Sequence, residues 1–198
     1  MTPEQLQALN KSIAPAAVAC EKATAAPGVR GVPAELTTAQ CGTESAWLAH
    51  APGNNAFGIK STSPNEKRQL LPTKEWLNDA EAAEFMRGNR GRRLQILGAA
   101  KDAHGRRQYN AWDYFRAYDS LADCFADHAK VLRGPAYQTA WQRYGAGGTL
   151  DDLIAGIAAH YATDPNYAEL LKQIAHEQAV TEALTAARAA AQEASHGA

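Results

Sequence analysis

Leu36, Ala39, Gln40, Thr43 and Trp47 recur three or four residues apart, the period of an amphipathic helix, and Pro33 stands where such a helix opens. That helix has to stop by Pro52-Gly53. Ahead of it, Thr2-Pro3-Glu4-Gln5 reads as an N-cap, a proline in the first turn and a Gln at the third position, so a helix begins at once. Pro15 should kink or divide it before it ends near Ala26-Pro27-Gly28. From Asn54 to Trp76 the periodicity vanishes and Gly, Pro, Ser and Asn punctuate short runs, which predicts loop and short strands. Asn78 and Glu81 then cap a short helix through about Arg87, and the aromatic run from Trp112 to Tyr118 predicts a strand. Ser120 and Asp123 start a helix ending at Gly134-Pro135, Thr149 and Asp152 another ending near Tyr161. Asp164-Pro165 opens a long Ala-rich helix that frays before Ala198.

Composition supports the helical reading. The chain holds 43 Ala against 11 Val plus Ile, a ratio that favours helix over sheet. Two helical blocks around a small β-lobe give an α+β class, mostly α, with the β-lobe at about 54–118. We expect one domain over 1–178 and an Ala-rich helical extension over 179–198. The net charge of −1 excludes a generally basic nucleic-acid binder and an acidic disordered chain. No apolar run is long enough to span a membrane. The charge is uneven, however: between Arg87 and Arg107 seven cations (Arg87, Arg90, Arg92, Arg93, Lys101, Arg106, Arg107) face one acid, Asp102. The segment reads either as a solvated surface or as a patch that contacts anions.

Several chemistries are absent. No phosphate-binding loop, dinucleotide fingerprint, nucleophile elbow or zinc-protease motif occurs. The six His show no zinc spacing, and Cys20, Cys41 and Cys124 read as buried thiols, so no metal or cofactor is expected. What remains is Glu44, in the last turns of an otherwise apolar helix with Trp47 three residues on. Poor solvation on one side and the negative end of the helix dipole both favour a protonated carboxyl, as a general acid needs. By spacing alone, a Glu on the wet face of a helix is the commoner case.

The residues flanking Glu44 are more informative. Ala39-Gln40-x-x-x-Glu44-Ser45-x-Trp47 is followed by Asn54-Asn55-x-Phe57-Gly58-Ile59-Lys60. Further on come Phe115-Arg116-x-Tyr118-x-Ser120, Phe125-x-Asp127-His128 and Tyr161-Ala162-Thr163-Asp164-Pro165-Asn166-Tyr167-Ala168. In this order the motifs, over roughly residues 12–178, resemble the glucosaminidases of glycoside hydrolase family 73. The resemblance implies a lysozyme-like fold, with a helical lobe and a small β-lobe across a cleft. It also implies hydrolysis of the β-1,4 bond after N-acetylglucosamine in peptidoglycan. Glu44 matches the family's general acid, Glu75 in Leu71-Pro72-Thr73-Lys74-Glu75-Trp76 its second carboxylate, and Tyr161 the aromatic residue near the acid. Trp47, Asn55, Phe57, Lys60 and Tyr118 are then candidates for sugar contacts.

The chain departs from the family in three places. Thr43 replaces the usual Leu or Val before the acid, Ala46-Trp47-Leu48 stands for Gly-Trp-Gly, and the stretch from Glu75 to Phe115 is longer. The resemblance makes peptidoglycan strands the partner, with anionic envelope polymers met by Arg87–Arg107, and a monomer is expected. With no secretory leader evident, the sequence reads as a phage or prophage endolysin, made in the cytoplasm and acting in the periplasm or wall, or else as an injected effector. A muramidase or lytic transglycosylase on the same fold, and a glycan-binding protein without catalysis, are the competing readings.

Overall fold

The computed structural model describes residues 1–87, 91–98, 100–162 and 164–196. They divide into a helical unit, Met1–Phe57 with Tyr118–Ala198, and a sheet unit, Gly58–Ala117. The class is α+β and mostly α, as the pattern predicts.

The chain opens with α1 (Pro3–Ala8), a π-helical turn (Leu9–Ile13) and α2 (Ala14–Thr24). The predicted cap is complete: the Thr2 hydroxyl accepts from the Gln5 N–H, and the Gln5 amide oxygen accepts from the Thr2 N–H. Pro15 has no N–H to give the carbonyl four residues back, and the ladder slips into the π turn just ahead of it. Then comes α3 (Ala34–Ser45), opened by Pro33 and buried along nine of its twelve residues. Trp47 lies outside this helix, against the expectation from its spacing. Ala46, Trp47 and Leu48 have φ of 49°, 60° and 73°, which ends α3 at Ser45.

In the sheet unit, β1 (Arg68–Leu77), α4 (Asp79–Met86), β2 (Arg93–Ile96) and β3 (Arg107–Arg116) follow in order. The strands form an antiparallel sheet of order β1-β3-β2. The sequence predicts only loop and short strands before Trp76, because Gly, Pro, Ser and Asn punctuate that stretch. At the sheet edge the missing N–H of Pro72 faces away from the ladder, so the strand runs through it. Asn78 and Glu81 form the expected capping box on α4.

The helical unit resumes with α5 (Leu121–Leu132), α6 (Gln138–Gly145), α7 (Leu150–Tyr161), α8 (Tyr167–Ala175) and α9 (Gln178–His196). Ser120 with Asp123 and Thr149 with Asp152 cap α5 and α7 as predicted. The single long helix expected after Asp164-Pro165 is two helices, broken at His176-Glu177. Residues 179–196 fall within the helical unit. Val180 and Leu184 are fully buried, and Arg188 reaches Glu21 and Glu35 at 2.9 Å each. Leu9, Ile13, Leu36, Phe125, Leu132, Leu153, Ile154, Ile157 and Leu171 fill the core. The three cysteines are free and buried, and burial pushes the Cys41 thiol up to about 12, which leaves it inert. Among the described residues no helix is long and apolar enough to cross a membrane.

Candidate active site

Glu44 sits one residue before the end of α3. The chain leaves it through three successive left-handed residues, each disfavoured by about 1–2 kcal/mol for a side chain with a Cβ. Local bonds hold the turn. Trp47 N–H donates to the Gly42 carbonyl, and the Ser45 hydroxyl donates to Cys41 O at 2.6 Å while accepting from Leu48 N–H at 3.0 Å. The Trp47 ring folds back onto Gly42, where a Cβ would stand 2.7 Å from it. Ala46 and Leu48 occupy the positions where the family has glycine, and the left-handed backbone gives the physical reason for glycine there.

The Glu44 side chain is exposed rather than poorly solvated on one side. Its Oε1 accepts a hydrogen bond from the Tyr167 hydroxyl at 2.7 Å. Tyr167 is buried, with the buried Gln40 amide 3.5 Å from its oxygen. The Tyr161 ring lies parallel to that of Tyr167, centroids 5.8 Å apart, and its hydroxyl is 3.4 Å from His128 Nε2. His128 is fully buried and stacks face to face on Phe57 at 3.6 Å. Burial, and then the Glu44 charge, raise the Tyr161 phenol above its ordinary value. The Tyr167 phenol rises as well, through burial and its bond to Glu44. Both therefore stay protonated at neutral pH, and Tyr167 remains a donor. Burial lowers His128 to about 3, so the imidazole is neutral.

The remaining candidates of this unit are buried or half-buried. Trp47 is buried against α3, Asn55 is buried, and Phe57 has one face covered by His128 and an edge contact to Phe125. Tyr118 is half-buried, and its hydroxyl donates to Asp127 at 2.8 Å. Thr163, within the Tyr161 motif, lies outside the described residues.

In the sheet unit Glu75 lies on β1 opposite Tyr109, and its Oε1 accepts from Lys60 Nζ at 2.7 Å. Lys60 also stands 3.3 Å from Asp113, which is buried and bound by Arg92 at 2.6 Å. The sequence reading places Lys60 with the sugar contacts; the structure pairs it with the candidate second carboxylate. The basic segment also differs from a patch of free cations. Arg87 pairs with Glu84, Arg92 with Asp113, Lys101 and Arg107 with Asp79, and Arg106 with Asp102. Arg93 is exposed on β2, and Arg90 lies outside the described residues. Apart from Asp102, the counter-charges come from Asp79, Glu84 and Asp113, which flank the segment, so a count within it misses them.

The glucosaminidase family model, described as mannosyl-glycoprotein endo-beta-N-acetylglucosaminidase, matches residues 20–179. The chain belongs to this family. A curated relative, a probable N-acetylmuramidase of Lactococcus lactis subsp. cremoris (strain MG1363), is 29% identical over 161 residues, 76% of this chain. The peptidoglycan hydrolase FlgJ of Vibrio parahaemolyticus is 27% identical over 152 residues, 73% of this chain. The chain spans 30% and 40% of the length of these two relatives. Among solved structures, the catalytic domain of the Listeria monocytogenes autolysin Auto is similar, with a TM-score of 0.60 and 27% identity. That likeness covers 92% of this chain and 89% of the autolysin domain. As a member of the glucosaminidase family, the chain has the lysozyme-like fold its motifs imply. The sequence reading left Tyr167 without a role, although it closes the Tyr161 motif. Its signal was there: a second tyrosine six residues on, at the start of a helix.

Proposed function

We propose that this glucosaminidase-family chain is a peptidoglycan hydrolase that cleaves the β-1,4 bond after N-acetylglucosamine. The observation that carries the reading is Glu44 itself, an exposed carboxyl at a helix end whose one oxygen is held by the buried Tyr167 hydroxyl. With Oε1 fixed, Oε2 is free to carry the proton to the leaving glycosidic oxygen. The names of the relatives point to the bacterial wall rather than to glycoproteins, and both substrates contain an N-acetylglucosamine β-1,4 bond. Glu75 is the proposed base that activates water, and Tyr161 the aromatic group that lines the site beside the acid. If the substrate's own 2-acetamido oxygen attacks instead, Glu75 has an orienting role.

The test is digestion of purified wall and mass spectrometry of the new ends. Reducing-end N-acetylglucosamine supports the proposal. Reducing-end muramic acid, in line with the name of the lactococcal relative, replaces it with a muramidase, and 1,6-anhydromuramic ends with a lytic transglycosylase. No clearing of wall means a glycan binder. Glu44→Gln keeps the shape but has no proton to give, so hydrolysis should fall on the order of 10²–10⁴-fold at an unchanged melting temperature. Activity within about threefold of wild type rejects Glu44 as the acid. The endolysin role belongs to the same proposal: a holin gene beside this one supports it, and an immunity gene favours the effector.

A further inference from the structure

Glu75 and Asp113 share one face of the sheet, since Glu75 pairs with Tyr109 and Asp113 lies four residues further along β3. At about 3.4 Å per residue that is roughly 14 Å of strand, beyond the direct reach of the two carboxylates. Lys60 closes the gap. Its backbone bridges to Phe115, next to the Asp113 end, and its ammonium stands 2.7 Å from Glu75 and 3.3 Å from Asp113. Two anions compete for this one cation. Asp113, at 2% exposure, has the stronger demand, because a buried carboxylate without a partner is strongly unfavourable.

Arg92 meets that demand. Its Nε donates to Asp113 Oδ1 at 2.6 Å, the same oxygen that accepts the Tyr114 N–H at 2.8 Å. Arg92 is itself seated by α4: Nη1 donates to the Phe85 carbonyl at 3.3 Å, and the guanidinium lies over the Phe85 ring. Gly91, at φ 100°, brings the chain in so closely that a Cβ would meet the Tyr114 hydroxyl at 2.6 Å.

We propose that Arg92, by holding Asp113, frees Lys60 to orient Glu75, so that the basic segment acts on the second carboxylate through a charge clamp. Arg92 and Lys60 are positioning residues in this account, and the inference rests on the reading of Glu75 as that carboxylate. Two cations and two anions balance, and removing one cation from the interior end draws the other inward. Lys60 then leaves Glu75.

The experiment compares Glu75→Gln, Lys60→Gln, Arg92→Gln and the double variant Arg92→Gln/Asp113→Asn on soluble glycan strands. Arg92→Gln should lower kcat on the order of 10- to 100-fold, as a displaced reacting group does, with KM within about twofold. In its crystal structure the Lys60–Glu75 separation should exceed about 4 Å, beyond ion-pair distance. The double variant removes the competing charge, so Lys60 should return to Glu75 and kcat recover to within about threefold of wild type. A role for Arg92 that is only structural predicts the reverse, a double variant no better than the single one. Because Arg92→Gln leaves a buried charge and can fail to fold, the double variant decides that case: it should be folded and active. If Glu75→Gln is severe while Lys60→Gln and Arg92→Gln keep full kcat, the clamp is overturned and the Glu75 reading stands. If Glu75→Gln is silent, the reading of Glu75 falls and the catalytic purpose of the clamp falls with it.

Discussion

The two units hold their candidate carboxylates by different physics. Around Glu44 the partners found among the described residues are neutral: a phenol donates to it, a second phenol stacks on the first, and a neutral imidazole and a Phe ring close the row. Around Glu75 the partners are ions, with Lys60, Asp113 and Arg92 in a chain of alternating sign. A proton donor has to pass through its neutral form, and neutral dipoles hold a carboxyl in either state. A carboxylate that accepts a proton from water starts charged, and a cation suits that state. The arrangement on each side thus matches the role proposed for each Glu, and separate perturbations should tell the two apart.

The sharpest probe on the neutral side, after loss of Glu44 itself, is Tyr167→Phe. It removes one hydroxyl, keeps the ring stacked on Tyr161, and leaves Glu44 without its fixed oxygen. We expect kcat to fall about tenfold with little change in KM, the size of one lost hydrogen bond to a charged group, about 1.5–3 kcal/mol, discounted for replacement by water. Raising salt from low to physiological strength should leave the effect of this variant unchanged. The activity lost in Lys60→Gln should shrink as salt rises, because the Lys60–Glu75 pair is half exposed and screened. Equal salt responses on the two sides would erase the distinction.

The pH dependence of stability separates them further. His128 titrates at about 3 in the folded chain, against 6.5 when exposed. Between those values the unfolded chain binds the extra proton and the folded one does not, so the neutral core of the helical unit loses stability as pH falls below 6.5. Above 6.5 that contribution is complete. The slope approaches about 1.4 kcal/mol per pH unit in the window. His128→Gln, which can still reach the Tyr161 hydroxyl, should melt at a lower temperature at pH 7 but lose less on going from pH 6.5 to pH 4.5. Parallel melting curves for the two proteins over that range would mean that His128 is not the titrating group.

Legibility in the sequence follows the range of the interactions. The capping boxes at Thr2, Asn78, Ser120 and Thr149 span four residues each, and all four stand as read. Glu44 is legible because its motif surrounds it in the chain. Tyr167 bonds to Glu44 across 123 positions, and Asp113 binds Arg92 across 21, so neither role has a local signature. The length of β1 was hidden by Pro72, which a sheet edge tolerates and a central strand does not. The left-handed run at Ala46-Trp47-Leu48 is legible only through the family's Gly-Trp-Gly at those positions, since none of the three residues present announces that conformation.

That run yields predicted effects on stability that have opposite signs a few residues apart. Gly42→Ala places a Cβ 2.7 Å from the Trp47 ring, and the ring has little room to retreat because it is buried. Overpacking of this kind costs about 1–3 kcal/mol. Ala46→Gly goes the other way. The native φ of 49° disfavours a Cβ by about 1–2 kcal/mol, and glycine removes that strain. Part of the gain is returned, because glycine widens the unfolded ensemble by about 0.4–1 kcal/mol. The net is a stabilisation of about 0.5 kcal/mol, or about 1–2 °C in Tm for a chain of this size. Both variants lie within four residues of Glu44, yet neither touches its bond to Tyr167. Thermal melts should therefore move in opposite directions, with kcat for Ala46→Gly within about twofold of wild type. A drop in kcat with a raised Tm would show that the strain behind Glu44 helps to hold the proposed acid in place, and that the neutral site is tuned by its backbone as well as by its tyrosines.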